Sequence, residues 1–431
     1  MSAFRSVPLG AVCLLFAAAC AATPQFEGRD ALAPSTRPSP LAPPALAEAV
    51  RRLWNSSPDI QAARAELEAA RARARAAAQP LYNPSLALDA ENADVDRRTT
   101  GISLPLDLGR KRRARADQGQ AELRASEAAY DVQRRDLAAR WLKAWAVAAL
   151  AGRQSGLGQR RVALMRRFDA LAAERLKVGD IGSPERDLAA LALGEAQVQQ
   201  ATLQSQAAAA QAALLAIEGR VAPAPPPLPS GLPPAIDVIT PRATGDLPDM
   251  VQARSELASA EAGVQVARRA RVPDPTISFT GGQVRSGPRT DRVIGMSVSI
   301  PLPVLNNGRA EVDAAIADVD AAAARLQSRR QSLDARLAGF SERYRALRHA
   351  DEAFRGSRAA AFEDRVALLE KLWRAGEIGT SDYLVQLKQS LDTALSGLEL
   401  EGQAWQAWFD YLTAAGRLND WLAGRTQDAN R

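Results

Sequence analysis

Histidine and cysteine are almost absent: the 431 residues hold one His, His349, and two Cys, Cys13 and Cys20, both near the start. So few ligands exclude a His/Cys zinc centre, a haem pocket and a disulfide framework. No G-x-S-x-G, P-loop or HExxH occurs, and a lone His supports neither a triad nor a metal cage, so neither catalysis nor a cofactor is expected. Long apolar runs are lacking too. Beyond the first twenty residues no stretch offers eighteen uninterrupted apolar positions, which excludes a spanning helix and leaves β-strands as the only way to cross a bilayer. Aromatics reach only 5%, whereas alanine is abundant, as at 71 to 78 and 207 to 213. Ala with Leu, Arg, Glu and Gln is the composition of long, closely packed helices.

The N-terminus reads MSAFRSVPLGAVCLLFAAAC, with one positive charge at Arg5, an apolar run from Val7 to Ala19 and small residues before Cys20. This is the pattern of a secretory signal peptide over 1–19. Ala17-Ala18-Ala19 before Cys20 is similar to a bacterial lipobox, so Cys20 is the candidate lipidation site, with an ordinary Ala-x-Ala cleavage as the alternative. Residues 20–44, rich in Pro and Ala, read as an extended tether.

The remainder is duplicated. Residues 83 to 114 align with 274 to 310: Pro84 falls on Pro275, Ser103-Leu104-Pro105-Leu106 on Ser299-Ile300-Pro301-Leu302, and Ala114 on Ala310. Later in each half LKVGDIGSPE (176 to 185) matches WRAGEIGTSD (373 to 382), pairing Gly179 with Gly376, Gly182 with Gly379 and Ser183 with Thr380. A Pro-rich linker over 221–246 joins repeats over 45–220 and 247–425, and 426–431 is a tail. The expected helices run over 45 to 79, 110 to 155 and 158 to 218, then 247 to 271, 308 to 354 and 358 to 420. Each unit thus reads helix-strand-strand-helix-helix.

The strands alternate. Thr100, Ile102, Leu104, Leu106 and Leu108 lie on one face, opposite Thr99, Gly101, Ser103, Pro105 and Asp107; Ile294, Met296, Val298, Ile300 and Leu302 repeat the pattern opposite Val293, Gly295, Ser297, Ser299 and Pro301. Leu86, Leu88 and Ala90, and Ile277 with Phe279, supply shorter partners, and polar loops are expected at 91 to 98 and 281 to 291. An apolar face opposite small or polar residues is the transmembrane barrel pattern. Closure takes at least eight strands, so four per chain require several copies.

With those features assembled, the chain resembles the outer membrane factor (TolC-like) family of efflux channels, and ISLPLDLGRKRRA and SIPLPVLNNGRAE are most similar to its CzcC-like heavy-metal branch. The resemblance implies a mainly α fold with a membrane β-barrel part: a homotrimer whose twelve-stranded barrel continues into a long α-helical barrel in the periplasm. It implies as partners a periplasmic adaptor protein and an inner-membrane resistance-nodulation-division pump, with heavy-metal cations as cargo. The breaks at Gly179, Gly182, Ser183 and Gly376, Gly379, Thr380 become adaptor-contacting helix tips. The glycines are expected at positive φ and Ser183 and Thr380 as N-caps. Asp382 and its counterpart Glu185 become candidates for the pore constriction, and Val385, one turn beyond Asp382, leaves a second acidic ring without support. Acidic residues favouring a helix N-terminus explain the pair equally well.

Arg110-Lys111-Arg112-Arg113, with Arg115, lacks the interleaved aromatics that stack bases, and an exported chain meets no nucleic acid. Beside the second strand these residues read as contacts to outer membrane lipid headgroups. Trp141, Trp145, Trp405, Trp408 and Trp421 read as core anchors of the helical part. The alternatives are a periplasmic coiled-coil scaffold or adaptor lipoprotein without a pore, and a channel of the same fold for drugs or secreted proteins.

Overall fold

The computed structural model describes residues 41–92, 95–219, 225–229, 231–357 and 362–423. The expected signal peptide, Cys20, most of the expected tether, part of the linker and the tail lie outside them. The first repeat comprises α1 (Pro44–Ser56), α2 (Pro58–Ala77), β1 (Ser85–Glu91), β2 (Val95–Pro105), α3 (Lys111–Lys177) and α4 (Ser183–Glu218). The second comprises α5 (Pro248–Ala270), β3 (Thr276–Ser286), β4 (Arg289–Ser299), α6 (Arg309–Gly356), α7 (Phe362–Arg374), α8 (Thr380–Ala414) and α9 (Leu418–Ala423).

Helix boundaries depart from the sequence expectation in three places. The segment 45 to 79 is two helices, because Pro58 holds Ser57 extended at ψ 127° and then opens α2 at its first position. The expected break near 156 does not occur: α3 runs unbroken for 67 residues, about 100 Å. Gly158 serves close approach there, since a Cβ would lie 2.8 Å from the Leu203 side chain of α4. The breaks expected at 179–183 and 376–380 fall at 178–182 and 375–379, and a further, unexpected one at 415–417 sets α9 apart from α8.

The four strands form one antiparallel sheet in the order β1-β2-β3-β4, so the halves meet where β2 pairs with β3 from Val95↔Ser286 to Pro105↔Thr276. The expected polar loops are largely strand. Backbone ladders are indifferent to side-chain polarity, and opposite charges face each other at Glu91↔Arg97 and Asp96↔Arg285. β3 and β4 are joined by Gly287-Pro288 alone, with Gly287 at φ 59°, the first central position of a type II′ hairpin.

Among the described residues two main cores hold most of the helices, and a small third cluster of Leu247, Met250 and Leu333 joins α5 to α6. The larger gathers Trp141, Trp145, Trp405, Trp408, Phe409, Tyr411 and Trp421 from α3, α8 and α9, with Leu46 and Val50 of α1. The tryptophans expected as core anchors are all buried. The smaller lies between the end of α3, the start of α4, and α7 and α8.

Candidate functional site

The sheet has two chemically distinct faces, and cross-strand register sorts them into rows. Leu86, Ile102, Phe279 and Met296 stand side by side across all four strands at 68, 52, 54 and 64% exposure. One residue along, on the other face, the row is Ser85, Ser103, Ser278 and Ser297, and the Ser85 and Ser103 hydroxyls lie 2.6 Å apart. An exposed apolar surface backed by hydroxyls has the pattern of lipid outside and water inside. β1 and β4 end the sheet, each with one ladder partner and one free edge.

At the other feature singled out in the sequence, two turns are built alike. In the first the Gly179 N–H donates to the Leu176 carbonyl at 3.1 Å and the Asp180 N–H to Arg175 at 2.9 Å. In the second, Gly376 donates to Trp373 at 3.1 Å and Glu377 to Leu372 at 3.0 Å. This is the Schellman pattern, and it requires the left-handed conformation at Gly179 (φ 80°) and Gly376 (φ 76°). Gly182 and Gly379 are different: with φ of −86° and −70° they are extended N-caps, which corrects the expectation of positive φ there. Ser183 and Thr380 are accordingly first helical residues and not N-caps. The Thr380 hydroxyl is buried and accepts from the Trp373 indole N–H at 3.3 Å. Glu185 reaches back to the Gly182 N–H at 3.3 Å, whereas Asp382 is exposed in the first turn of α8.

Both turns converge on the smaller core, where Ile181 and Ile378 pack against one cluster. Its centre is an aromatic trio that sequence reading missed: Phe168, Trp373 and Tyr383, with ring centroids 4.5 to 5.4 Å apart, and the Arg175 guanidinium 4.7 Å from the Trp373 ring. Salt bridges Arg186–Asp169 (2.6 Å) and Lys388–Glu195 (2.5 Å) tie α4 to α3 and to α8 beside it.

The Pro-rich linker is fastened to the larger core. Proline removes backbone donors but leaves carbonyls, and side chains supply the missing N–H and O–H groups. Trp145 donates to the Pro226 carbonyl (2.8 Å), Arg153 to Leu228 (2.6 Å), Tyr344 to Pro234 (2.6 Å) and Tyr411 to Ile239 (3.0 Å). Arg153 and Arg355 also hold opposite oxygens of the buried Glu401, at 3.0 and 3.2 Å, and burial still pushes that carboxyl above its ordinary pKa. Elsewhere along α3, Arg135 pairs with Asp249 of α5, both buried. Burial would raise the Asp249 pKa, but the Arg135 hydrogen bonds and charge outweigh it and hold the carboxyl below its usual range.

Where β2 passes into α3, Asp107 accepts from the N–H groups of Lys111 (2.8 Å) and Arg112 (2.9 Å), capping the helix. Lys111 is drawn out of the basic cluster: its ammonium lies 2.8 Å from Asp274, which also accepts from the Tyr82 hydroxyl at 2.5 Å. Among the described residues no cluster of His, Cys, Asp and Glu is arranged to hold a metal ion.

Sheet, tips and duplicated turns can be set beside known proteins. The sequence model for outer membrane efflux proteins matches residues 49–220 and 241–417, once in each half. The chain belongs to the outer membrane efflux protein family. It is 23% identical over 340 residues to the cobalt-zinc-cadmium resistance protein CzcC of Cupriavidus metallidurans, covering 77% of this chain and 80% of that one. To the nickel-cobalt-cadmium resistance protein NccC of Alcaligenes xylosoxydans xylosoxydans it is 28% identical over 272 residues, covering 60% and 61%. Among solved structures, a membrane protein from Pseudomonas aeruginosa superposes with a TM-score of 0.72 at 20% identity, over 88% of this chain and 94% of that one. The outer membrane protein VceC of Vibrio cholerae gives 0.69 at 18%, over 86% and 96%. The fold is that of the TolC-like outer membrane channels, and the family is one of channel proteins, not enzymes.

Proposed function

We propose that this outer membrane efflux protein is a homotrimer that passes heavy-metal cations, received from a resistance-nodulation-division pump and a periplasmic adaptor, out through its own lumen. The observation that carries the reading is the four-stranded sheet, apolar and exposed on one face, hydroxyl-rich on the other, with free edges at β1 and β4. In a bilayer such edges must be closed by other copies, and β4 of one chain against β1 of the next is a heterologous contact that makes a ring. Two copies give eight strands, which side chains fill; three give twelve and leave a conduit. The cargo assignment rests on the likeness to CzcC and NccC, whose names specify resistance to cobalt, cadmium and related metals.

The turns at 179–183 and 376–380 are the proposed adaptor contacts, and Glu185 and Asp382 the proposed constriction. Three copies would turn each carboxylate into a ring that attracts cations. The proposed lipid anchor at Cys20 is supported by reach. The 21 steps from Cys20 to Leu41 span up to about 70 Å extended, more than the roughly 50 Å of α1 and α2 laid end to end.

Single-channel conductance of the purified protein in planar bilayers, with the heat-sensitive trimer band on gels, tests the channel. Trimers that never conduct, even with Glu185 and Asp382 neutralised, would refute it. Unchanged cobalt, zinc, nickel and cadmium tolerance in a deletion strain would refute the cargo, and acyl labelling that survives Cys20→Ser would refute the anchor.

A further inference from the structure

The junction between sheet and helices exists twice, once in each repeat, and the two versions differ in charge. In the second repeat it is built from Asn306, Asn307 and Gly308. The Asn306 carboxamide accepts from the Gly308 N–H at 2.8 Å, the Asn307 carboxamide accepts from the Arg309 N–H at 3.1 Å, and Gly308 precedes α6 at φ 67°. That version holds two cations, Arg309 and Arg271, and the Arg271 guanidinium is committed to the Asn307 carbonyl, to which its Nε donates at 2.9 Å. In the first repeat the residue preceding α3 is Arg110, at φ 54°, the one non-glycine residue at positive φ among those described. A side chain in the left-handed region costs roughly 1 to 2 kcal/mol relative to glycine. The first repeat therefore keeps an arginine at a strained position for which the second uses glycine.

Arg112 and Arg113 follow on the first turn of α3, and with Arg110, Asp107, Leu81 and Tyr82 they border a cavity of about 430 Å³. Lys111 is neutralised by Asp274, and the carboxylate of Asp107 is committed to two backbone N–H groups. Among the described residues the guanidinium groups of Arg110, Arg112 and Arg113 have no hydrogen-bond or ion-pair partner. The cavity thus carries three free cations against one capped anion. It lies where β2 leaves its exposed apolar face: Ile102 and Leu104 precede it, and Leu108, 65% exposed, is two residues from Arg110. Free guanidinium groups next to exposed leucine match a ligand with a phosphate head and an acyl body, since guanidinium pairs with phosphate oxygens and a soluble anion has no use for the leucine.

We infer that Arg110, Arg112 and Arg113 form a binding site for the phosphate of an anionic phospholipid, one per chain, confined to the first repeat. The site rests on the proposed insertion of the sheet in a membrane and goes beyond it, from general contact with lipid to a defined headgroup pocket.

The test uses full-length protein, purified in detergent and titrated with phosphatidylglycerol or phosphatidylcholine, with bound lipid counted by native mass spectrometry. Phosphatidylglycerol should be retained at one molecule per chain above the phosphatidylcholine background. The triple variant Arg110→Gln/Arg112→Gln/Arg113→Gln should weaken it at least about tenfold, and Arg309→Gln at the other junction should leave it unchanged. Arg112→Gln alone, expected to weaken binding about threefold to fivefold, keeps the test available if the triple variant does not fold. Equal retention of both lipids, or of phosphatidylglycerol by wild type and variants, overturns the site. So does full displacement by 10 mM inorganic phosphate, which would mark a soluble-anion site. Loss of the oligomer in the triple variant with phosphatidylglycerol binding intact would assign the arginines to a contact between copies. Conductance of the same preparations separates the two claims: protein that conducts without lipid preference refutes the site alone, and protein that neither inserts nor conducts refutes the channel.

Discussion

Replacing Ile294 by arginine and, separately, its neighbour Val293 by arginine should have opposite consequences. β4 has eleven residues and Ile294 is the sixth, 92% exposed on the apolar face. At about 3.3 Å per residue the strand is roughly 36 Å long, and a tilt near 45° gives a height of about 25 Å, the height of the apolar band of a membrane barrel. Ile294 therefore sits at the middle of that band, where arginine on the lipid face costs about 2 to 4 kcal/mol per chain. Val293 is displaced by a single residue along the strand but points to the serine-bearing face, which the channel reading fills with water. Arginine there should cost less than about 1 kcal/mol. The assay is folding from urea into short-chain phosphatidylcholine vesicles, followed by the gel shift of the folded form. Ile294→Arg should move the midpoint to lower urea by the equivalent of at least 2 kcal/mol, and Val293→Arg should leave it near wild type. Equal effects, or a larger one for Val293→Arg, would refute the assignment of faces and the barrel built on it.

Other perturbations separate backbone, charge and linker effects. Gly376→Ala should destabilise by about 1 to 2 kcal/mol through its positive φ alone, since no atom stands within 4 Å of the added Cβ; Gly379→Ala, at an extended N-cap where Ala is a poorer cap than Gly, should cost less, about 0.5 to 1 kcal/mol in thermal melts. Asp249→Asn should cost about 3 kcal/mol, the lower end for a broken buried pair, because Asp136 also meets Arg135 at 2.7 Å. As the Asp249 pKa is depressed in the folded chain, its stabilisation is present above the ordinary carboxylate pKa near 3.9 and is lost as pH falls through the folded value. Melting temperature against pH should lose that acid-side slope in the Asn variant. Trp145→Phe removes the donor to Pro226 and should cost about 1 kcal/mol, read as faster protease cleavage in the linker.

What could be read from the sequence was whatever repeats over short distances. Alternation at 99–108 and 293–302 marked both hairpins because apolar residues there fall on every second position, although the strands end earlier than expected, at Pro105 and Ser299. The Gly179 and Gly376 turns were visible because duplication showed them twice. The strand ends were misread as loops because their residues are charged, although the ladder is made by the backbone. The break expected between 155 and 158 is absent, and Gly158 there serves close packing of α3 on α4. Two features carry no local signal at all. The trio Phe168, Trp373 and Tyr383 comes from three helices, two of them in the other repeat from the first. The linker is held by donors such as Trp145 and Tyr411, 81 and 172 residues away from their acceptors.

The pairing of β2 with β3 bears on the order in which the chain folds. Pro105 and Thr276 are ladder partners, yet about 170 residues separate them. The hairpins β1-β2 and β3-β4 are local and α3 with α4 nearly so, but closing a loop of that length without help costs roughly 4 to 5 kcal/mol of chain entropy. Helix packing carries most of that closure: α5, which leads directly into β3, lies along α3, which follows directly from β2. The central ladder is therefore expected to zip last, once the helices have brought the hairpins together. Until then each hairpin is a marginal two-stranded ribbon, and the continuous apolar face, which would aggregate in water, is completed only at the end of folding.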